Sequence, residues 1–85
     1  MSKNIITDPD NCQLVDLSDL EIVISEFSGP NGNCIGVSAL PGGGVAIYDT
    51  TKPEEAPQIH SKASKEAFVK GLQSDARLRA AFGLA

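Results

Sequence analysis

The chain has 85 residues and a formal net charge of −4, with 41% hydrophobic residues, 5% aromatic residues and no tryptophan. This length predicts one small domain whose aliphatic core is close to the minimum for a stable fold. The acidic balance argues against a dedicated nucleic-acid surface, and no apolar run approaches the roughly 20 residues that cross a bilayer.

Cys12 and Cys34 are the only cysteines. Small secreted domains usually carry several disulfides, and the first residues show no charged-then-apolar signal segment. We therefore expect a cytoplasmic protein with reduced thiols. A Cys12–Cys34 bridge is the less favoured alternative.

Residues 1–13 are expected to be a weakly ordered N-terminal segment, and residues 14–85 are expected to form the single domain. The letters DPDN at 8–11 indicate a turn, because proline fixes φ and Asp and Asn side chains bond nearby backbone. The acidic residues match no calcium-binding loop. Solvated turns are the expected place for Asp8, Asp10, Glu54 and Glu55.

Two segments before the first glycine-rich loop differ in how clearly they predict structure. Residues 14–20 fit strand, helix or coil. The β-branched run at 22–24 lies directly before the loop, which favours a strand over about 21–27.

The middle of the chain predicts an antiparallel meander. Strands are expected over 34–38 and 44–48, joined by a hairpin in which Gly42, Gly43 and Gly44 supply positive φ angles. Residues 58–60 are expected to form a short strand at a sheet edge.

The last third predicts helices. Ser61 is a good N-cap for a helix reaching residue 72 or 73, and a second short helix begins after Asp75 and stops at Gly83. The predicted fold class is α+β, a small twisted antiparallel β-meander of three to four strands with one or two C-terminal helices packed on it. Small and apolar side chains on the first helix form a candidate protein interface. Its residues are Ala63, Lys65, Ala67, Phe68, Gly71 and Leu72.

Three motifs occur in one order: SGPNGNC, LPGGGVAIYDTTKP and SKASKEAFVKGL. Together they resemble the actinobacterial family called domain of unknown function 397, the BldB-like proteins, over about Ile22 to Leu72. Two usual tryptophan positions are Ile22 and Lys65 here, so the chain resembles a divergent member. The residues that match the family motif are Gly29, Asn31, Gly32, Asn33, Cys34, Asp49 and Phe68.

The resemblance implies a non-enzymatic accessory protein, because the family has no established enzymatic activity. Similar proteins are thought to modulate helix-turn-helix transcriptional regulators by direct contact. The residues themselves favour a protein-interaction module, because the core is marginal and an acidic front half contrasts with a basic tail. A homodimer is a further expectation. The ammonium of Lys65 is expected to reach water or a partner carboxylate.

Two alternatives remain open. The first is weak nucleic-acid binding through the C-terminal helices, whose basic residues are Lys62, Lys65, Lys70, Arg77 and Arg79. The second, and less favoured, is a thiol-dependent enzyme using Cys34 with the only histidine, His60.

Chemical sites are otherwise not expected. Cys34 is interpreted as a small buried side chain, and a zinc site from His60, Cys12 and Cys34 lacks any recognisable ligand pairing. Asp49 is expected to bond the turn that follows it, through Thr50 or Thr51. We expect no catalytic residue, cofactor or metal.

Overall fold

The computed structural model describes residues 4–29 and 33–84, which form two antiparallel sheets and two C-terminal helices. The α+β class is therefore confirmed, and so is a meander of three strands in the order β3-β4-β5. The elements in chain order are β1 (Ile5–Thr7), β2 (Leu14–Asp16), a 3₁₀ turn (Leu17–Asp19), β3 (Ile35–Ala39), β4 (Val45–Asp49), β5 (Gln58–His60), α1 (Lys62–Ser74) and α2 (Ala76–Ala81).

The β3–β4 hairpin closes where the glycines predict it. The Leu40 and Gly43 amides donate to the carbonyls of Gly44 and Leu40, each at 3.0 Å. Gly43 has φ +106°, a conformation that only glycine adopts without strain. The glycine at this position therefore sets the register that pairs Val37 with Ile47.

The described residues of the segment expected to be weakly ordered, 4–13, contain the first strand. β1 pairs with β2 to form a second sheet. Asp8 is fully buried, and its carboxylate accepts the amides of Asp10 (2.9 Å) and Gly42 (2.8 Å). Asp10 in turn accepts the Lys62 amide at 2.9 Å. These two acidic side chains join the loop to the β3–β4 turn and to the start of α1. The interpretation as a solvated turn residue is therefore wrong for Asp8, which is buried, whereas Asp10 lies exposed in a turn as predicted.

The strand predicted over 21–27 is reduced to a single bridge between Val23 and Val37. The chain turns soon afterwards, because the Ser25 hydroxyl accepts the Phe27 amide and the Ser25 carbonyl accepts the Ser28 amide. This serine turn ends the pairing that the β-branched run favours. The ambiguous segment 14–20 contains β2 and the 3₁₀ turn.

The core lies between the two sheets. Its buried apolar side chains come from β2, the 3₁₀ turn, the β3–β4 turn and β4, and none of the described residues of α1 is buried. The helices therefore pack on each other rather than closing the core. The core cluster comprises Val15, Leu17, Leu40 and Ala46, with Ile6, Leu20, Tyr48 and Ile59 packed against it.

The helix ends follow the predicted capping residues. The Ser61 hydroxyl accepts the Ser64 amide, and the Asp75 carboxylate accepts the Leu78 amide at the start of α2. Gly83 ends the helical region with φ +82°. Across residues 4–29 and 33–84, no helix is long and apolar enough to cross a membrane.

Candidate functional site

Exposed aromatic and aliphatic side chains gather on the two helices. Phe68 and Phe82 make an edge-to-face pair with ring centroids 5.7 Å apart, yet they remain 41% and 53% exposed. Val69 is also exposed. We call Phe68, Val69 and Phe82 the helix surface. An aromatic pair that stays half in water has the composition of a protein-binding anchor.

The Lys65 side chain bonds the β3–β4 turn. Its ammonium donates to the carbonyl of Gly43 at 2.6 Å, and the residue is half-buried. The sequence does not predict this bond to the chain's own backbone, and it uses one of the three donors of the ammonium. The bond also explains why a lysine stands within an apolar helical stripe, since its stem crosses towards the β3–β4 turn.

Part of the predicted interface on α1 already contacts α2, because Gly71 lies against Leu78. A Cβ built on Gly71 would lie 2.5 Å from Leu78 Cδ2, so a larger residue here requires the Leu78 side chain to shift. Ala63 and Ala67 are exposed, and Leu72 is half-buried. The structure thus brings the predicted interface residues together on one helix, but Gly71 serves the contact between α1 and α2.

Cys34 directly precedes β3. Its side chain is half-buried, not fully buried as predicted. Its backbone is fixed by Thr50, whose hydroxyl accepts the Cys34 amide (2.8 Å) and donates to the Cys34 carbonyl (2.7 Å). Cys12 is exposed, and both cysteines are free thiols, so the disulfide alternative is wrong.

The Cys34 thiol lies near two serines. The pKa of this thiol is lowered, first by the Ser28 hydroxyl and then by the Ser25 backbone, against a smaller opposing effect of burial. The Ser28 hydroxyl is itself buried and makes no hydrogen bond of standard geometry within the described part of the chain. We interpret it as a donor that turns to the sulfur when the thiol ionises, because a hydroxyl hydrogen rotates freely.

The structure does not bring Cys34 and His60 together. Cys34 continues β3 opposite Thr50, whereas His60 pairs with Val45 at the other end of β4. Five residues of extended strand separate these positions by about 17 Å. A thiol acting with a histidine base needs hydrogen-bond distance, so this pair lacks the required geometry. Within the described ranges, no group of three potential metal ligands occurs.

Asp49 has the local role that the sequence predicts. Its carboxylate accepts the Thr51 amide at 2.9 Å and the Thr51 hydroxyl at 2.6 Å. These bonds lower the pKa of Asp49, with the hydroxyl contributing most. The side chain therefore shapes the turn after β4.

The other described residues of the family motif do not come together at one site. Gly29 and Asn33 are exposed at either side of the loop before β3. Asn31 and Gly32 lie outside the described residues. Phe68 lies on α1, so the motif positions are distributed over the sheet, its loops and the helix.

Among the described residues, the side chains of two of the five basic residues in the tail donate hydrogen bonds to backbone carbonyls. Lys65 bonds the β3–β4 turn, and the Arg79 guanidinium donates to the carbonyls of Leu72 (2.6 Å) and Leu84 (3.1 Å). Arg79 thereby satisfies carbonyls at the end of α1. These contacts occupy donors of Lys65 and Arg79 that would otherwise be available to bind phosphates, although both side chains keep their charge.

A shallow cleft that the sequence does not predict lies beside β4. Its volume is about 310 Å³, and its walls include Ile22, Tyr48, Lys52 and Pro57. The Tyr48 hydroxyl is buried and makes no hydrogen bond to the described residues. The sequence does not predict that the Tyr48 hydroxyl is buried without a hydrogen bond, because this depends on which residues pack over the side chain.

The chain was compared with family models, curated proteins and solved structures, and no match was found.

Proposed function

We propose that this protein is a non-enzymatic interaction module that binds a helix-turn-helix transcriptional regulator through its helix surface. The observation that carries the proposal is the half-exposed Phe68–Phe82 pair, with Val69 beside it. Binding energy at protein interfaces concentrates in such aromatic anchors, surrounded by residues that exclude water.

The kind of partner comes from the resemblance to the domain of unknown function 397 family. The positions that carry this resemblance include Phe68, which is also the centre of the helix surface. The exposed cations Lys62 and Lys70 on α1 suit an acidic rim on the partner. We propose a cytoplasmic location because the chain has only two cysteines and both are free thiols.

The test is a binding titration with the recombinant helix-turn-helix regulator encoded nearest to this protein's gene, after identification of partners by pull-down and mass spectrometry. Phe68→Ala is expected to weaken binding by at least about tenfold, because it removes a central aromatic anchor. Circular dichroism checks that the variant is folded.

Phe27→Ala is the matched control. Phe27 is 87% exposed and lies outside the helix surface, so its truncation removes a phenylalanine ring of equal size. Its affinity for the regulator is expected to equal that of the wild type. Equal affinities of wild type and Phe68→Ala would contradict the proposed interface, and absence of any binding to such a regulator would contradict the proposed partner.

A further inference from the structure

A second apolar surface lies on the side of the three-stranded sheet that faces away from the core. Residues paired directly across antiparallel strands share a face, so Val37 shares one with both Ile47 and Val23. Ile35 shares this face because side chains alternate along β3. We call Val23, Ile35, Val37 and Ile47 the open sheet face.

The open sheet face is accessible to solvent and uncharged at its centre. Ile35 is 60% exposed and Val23 is 56% exposed, whereas Gly36 and Ser38 on the opposite face are buried. One charged residue of the three strands, Asp49, lies on this face. It pairs with Ile35 at one end of the sheet. Val37 is also exposed, and Ile47 on the central strand β4 is half-buried. A group of exposed β-branched side chains on one face of a sheet is typical of a surface that packs against another sheet.

The whole chain also exposes more surface than a folded monomer of its mass. Its accessible surface is 6142 Å², whereas a compact 8.9 kDa protein exposes about 4,800 Å². Its radius of gyration is 14.1 Å, against about 12 Å for a compact chain of this length. The excess of roughly 1,300 Å² exceeds the roughly 800 Å² that each partner buries in a standard interface.

We propose that the open sheet face binds a second copy of this chain, forming a symmetric dimer in which two three-stranded sheets pack face to face. A two-fold interface places the same patch on both sides, and an uncharged apolar face is complementary to itself. A charged partner finds no opposite charge at its centre. A second sheet packed about 10 Å away covers the open sheet face with apolar side chains of the same kind.

This dimer uses a surface separate from the helix surface, and it goes beyond the proposed binding of a regulator. Phe68 lies on α1 and Phe82 directly follows α2, so neither belongs to the strands that form the open sheet face. The two proposals fail independently, because one is tested by variants of the sheet and the other by variants of α1.

The experiment is sedimentation equilibrium of the full chain over a wide concentration range. The wild type is expected to sediment at twice the mass of 8.9 kDa. Ile35→Lys is expected to raise the dimer dissociation constant by at least about tenfold, because it places an ammonium inside an apolar interface. The new lysine lies opposite Asp49 in the register, which favours folding of the variant monomer.

Leu14→Lys is the matched control, because Leu14 is an exposed leucine on β2, in the other sheet. Its dissociation constant is expected to equal that of the wild type. If Ile35→Lys fails to fold by circular dichroism, Val23→Lys at the sheet edge replaces it with the same expected result.

Three results would overturn the proposal. They are a monomeric wild type at every soluble concentration, a dissociation constant unchanged by a lysine on the open sheet face, and loss of the dimer in Phe68→Ala with retention in Ile35→Lys. The last result would assign self-association to the helix surface instead.

Discussion

Asp8 is buried in a small protein, and its ionised carboxylate is satisfied entirely by backbone amides. The amides of Asp10 and Gly42 come from two different parts of the chain. Their hydrogen bonds compensate the buried charge and also connect these two parts. These bonds lower the pKa of Asp8, with the Asp10 amide contributing most and burial opposing them. A group with this environment couples folding to pH.

The pH dependence follows from the direction of that pKa shift. Because the folded-state pKa lies below the ordinary value of 3.8, Asp8 stabilises the fold above pH 3.8, and this contribution is lost as pH falls through the folded-state pKa. Asp8→Asn is expected to lower the Tm at neutral pH, because it replaces a charged acceptor. It is also expected to flatten the loss of Tm on acidification.

Thermal unfolding of both proteins from neutral to strongly acidic pH, followed by circular dichroism, measures this difference. Asp16 and Asp49 also have lowered pKa values, so Asp8→Asn retains part of the acid dependence. Parallel Tm curves for the two proteins would show that Asp8 has no part in it.

At the level of elements, the start of α1 depends on a residue 52 positions earlier in the chain. The Asp10 carboxylate accepts the Lys62 amide, while Ser61 caps the next turn. Both acceptors satisfy amides that a helix leaves unpaired at its beginning, and a carboxylate there also favours the helix dipole. The helix is thereby fixed to the β1–β2 loop.

Asp10→Ala is expected to reduce the free energy of unfolding by about 1 kcal/mol, the usual cost of removing a capping acceptor. Asp10→Asn keeps an acceptor oxygen and is expected to lose less. Urea denaturation compares the two variants. Equal stability of Asp10→Ala and the wild type would mean that Ser61 alone starts the helix.

The elements also show how far local sequence predicts this fold. The glycine-rich β3–β4 turn and the serine and aspartate caps are local signals, and the structure confirms the turn and both caps. Of the three glycines predicted to supply positive φ, only Gly43 does so. The bonds of Asp8 and Asp10 join residues 34 and 52 positions apart, which leaves no periodic pattern. Of the candidate site, the sequence predicts Phe68 on α1, but the intramolecular bond of Lys65 and the open sheet face depend on tertiary packing.

At the scale of the whole molecule, the N-terminal segment is part of the core. Ile6 packs against the core cluster, β1 is the strand that pairs with β2, and the Asn4 carbonyl accepts the Leu17 amide at 2.7 Å. An 85-residue chain has few apolar contacts to spare. Loss of this segment therefore affects both sheets.

A chain comprising residues 14–85 is expected to lose cooperative thermal unfolding, because deletion of the first 13 residues removes β1, Ile6 and both acidic links. Circular dichroism against temperature, with the full chain measured alongside, tests this expectation. A cooperative transition at the full-chain Tm would contradict the assignment of this segment to the core.

The two acidic links also set an order of events during synthesis. The loop that carries Asp8 and Asp10 is made early, but its partners Gly42 and Lys62 emerge from the ribosome much later. Contacts between residues far apart in the chain form slowly, because the intervening chain must first be ordered. The β1–β2 hairpin therefore waits for most of the protein to be translated before it is secured, and the nascent chain exposes its apolar strands until α1 has begun to form.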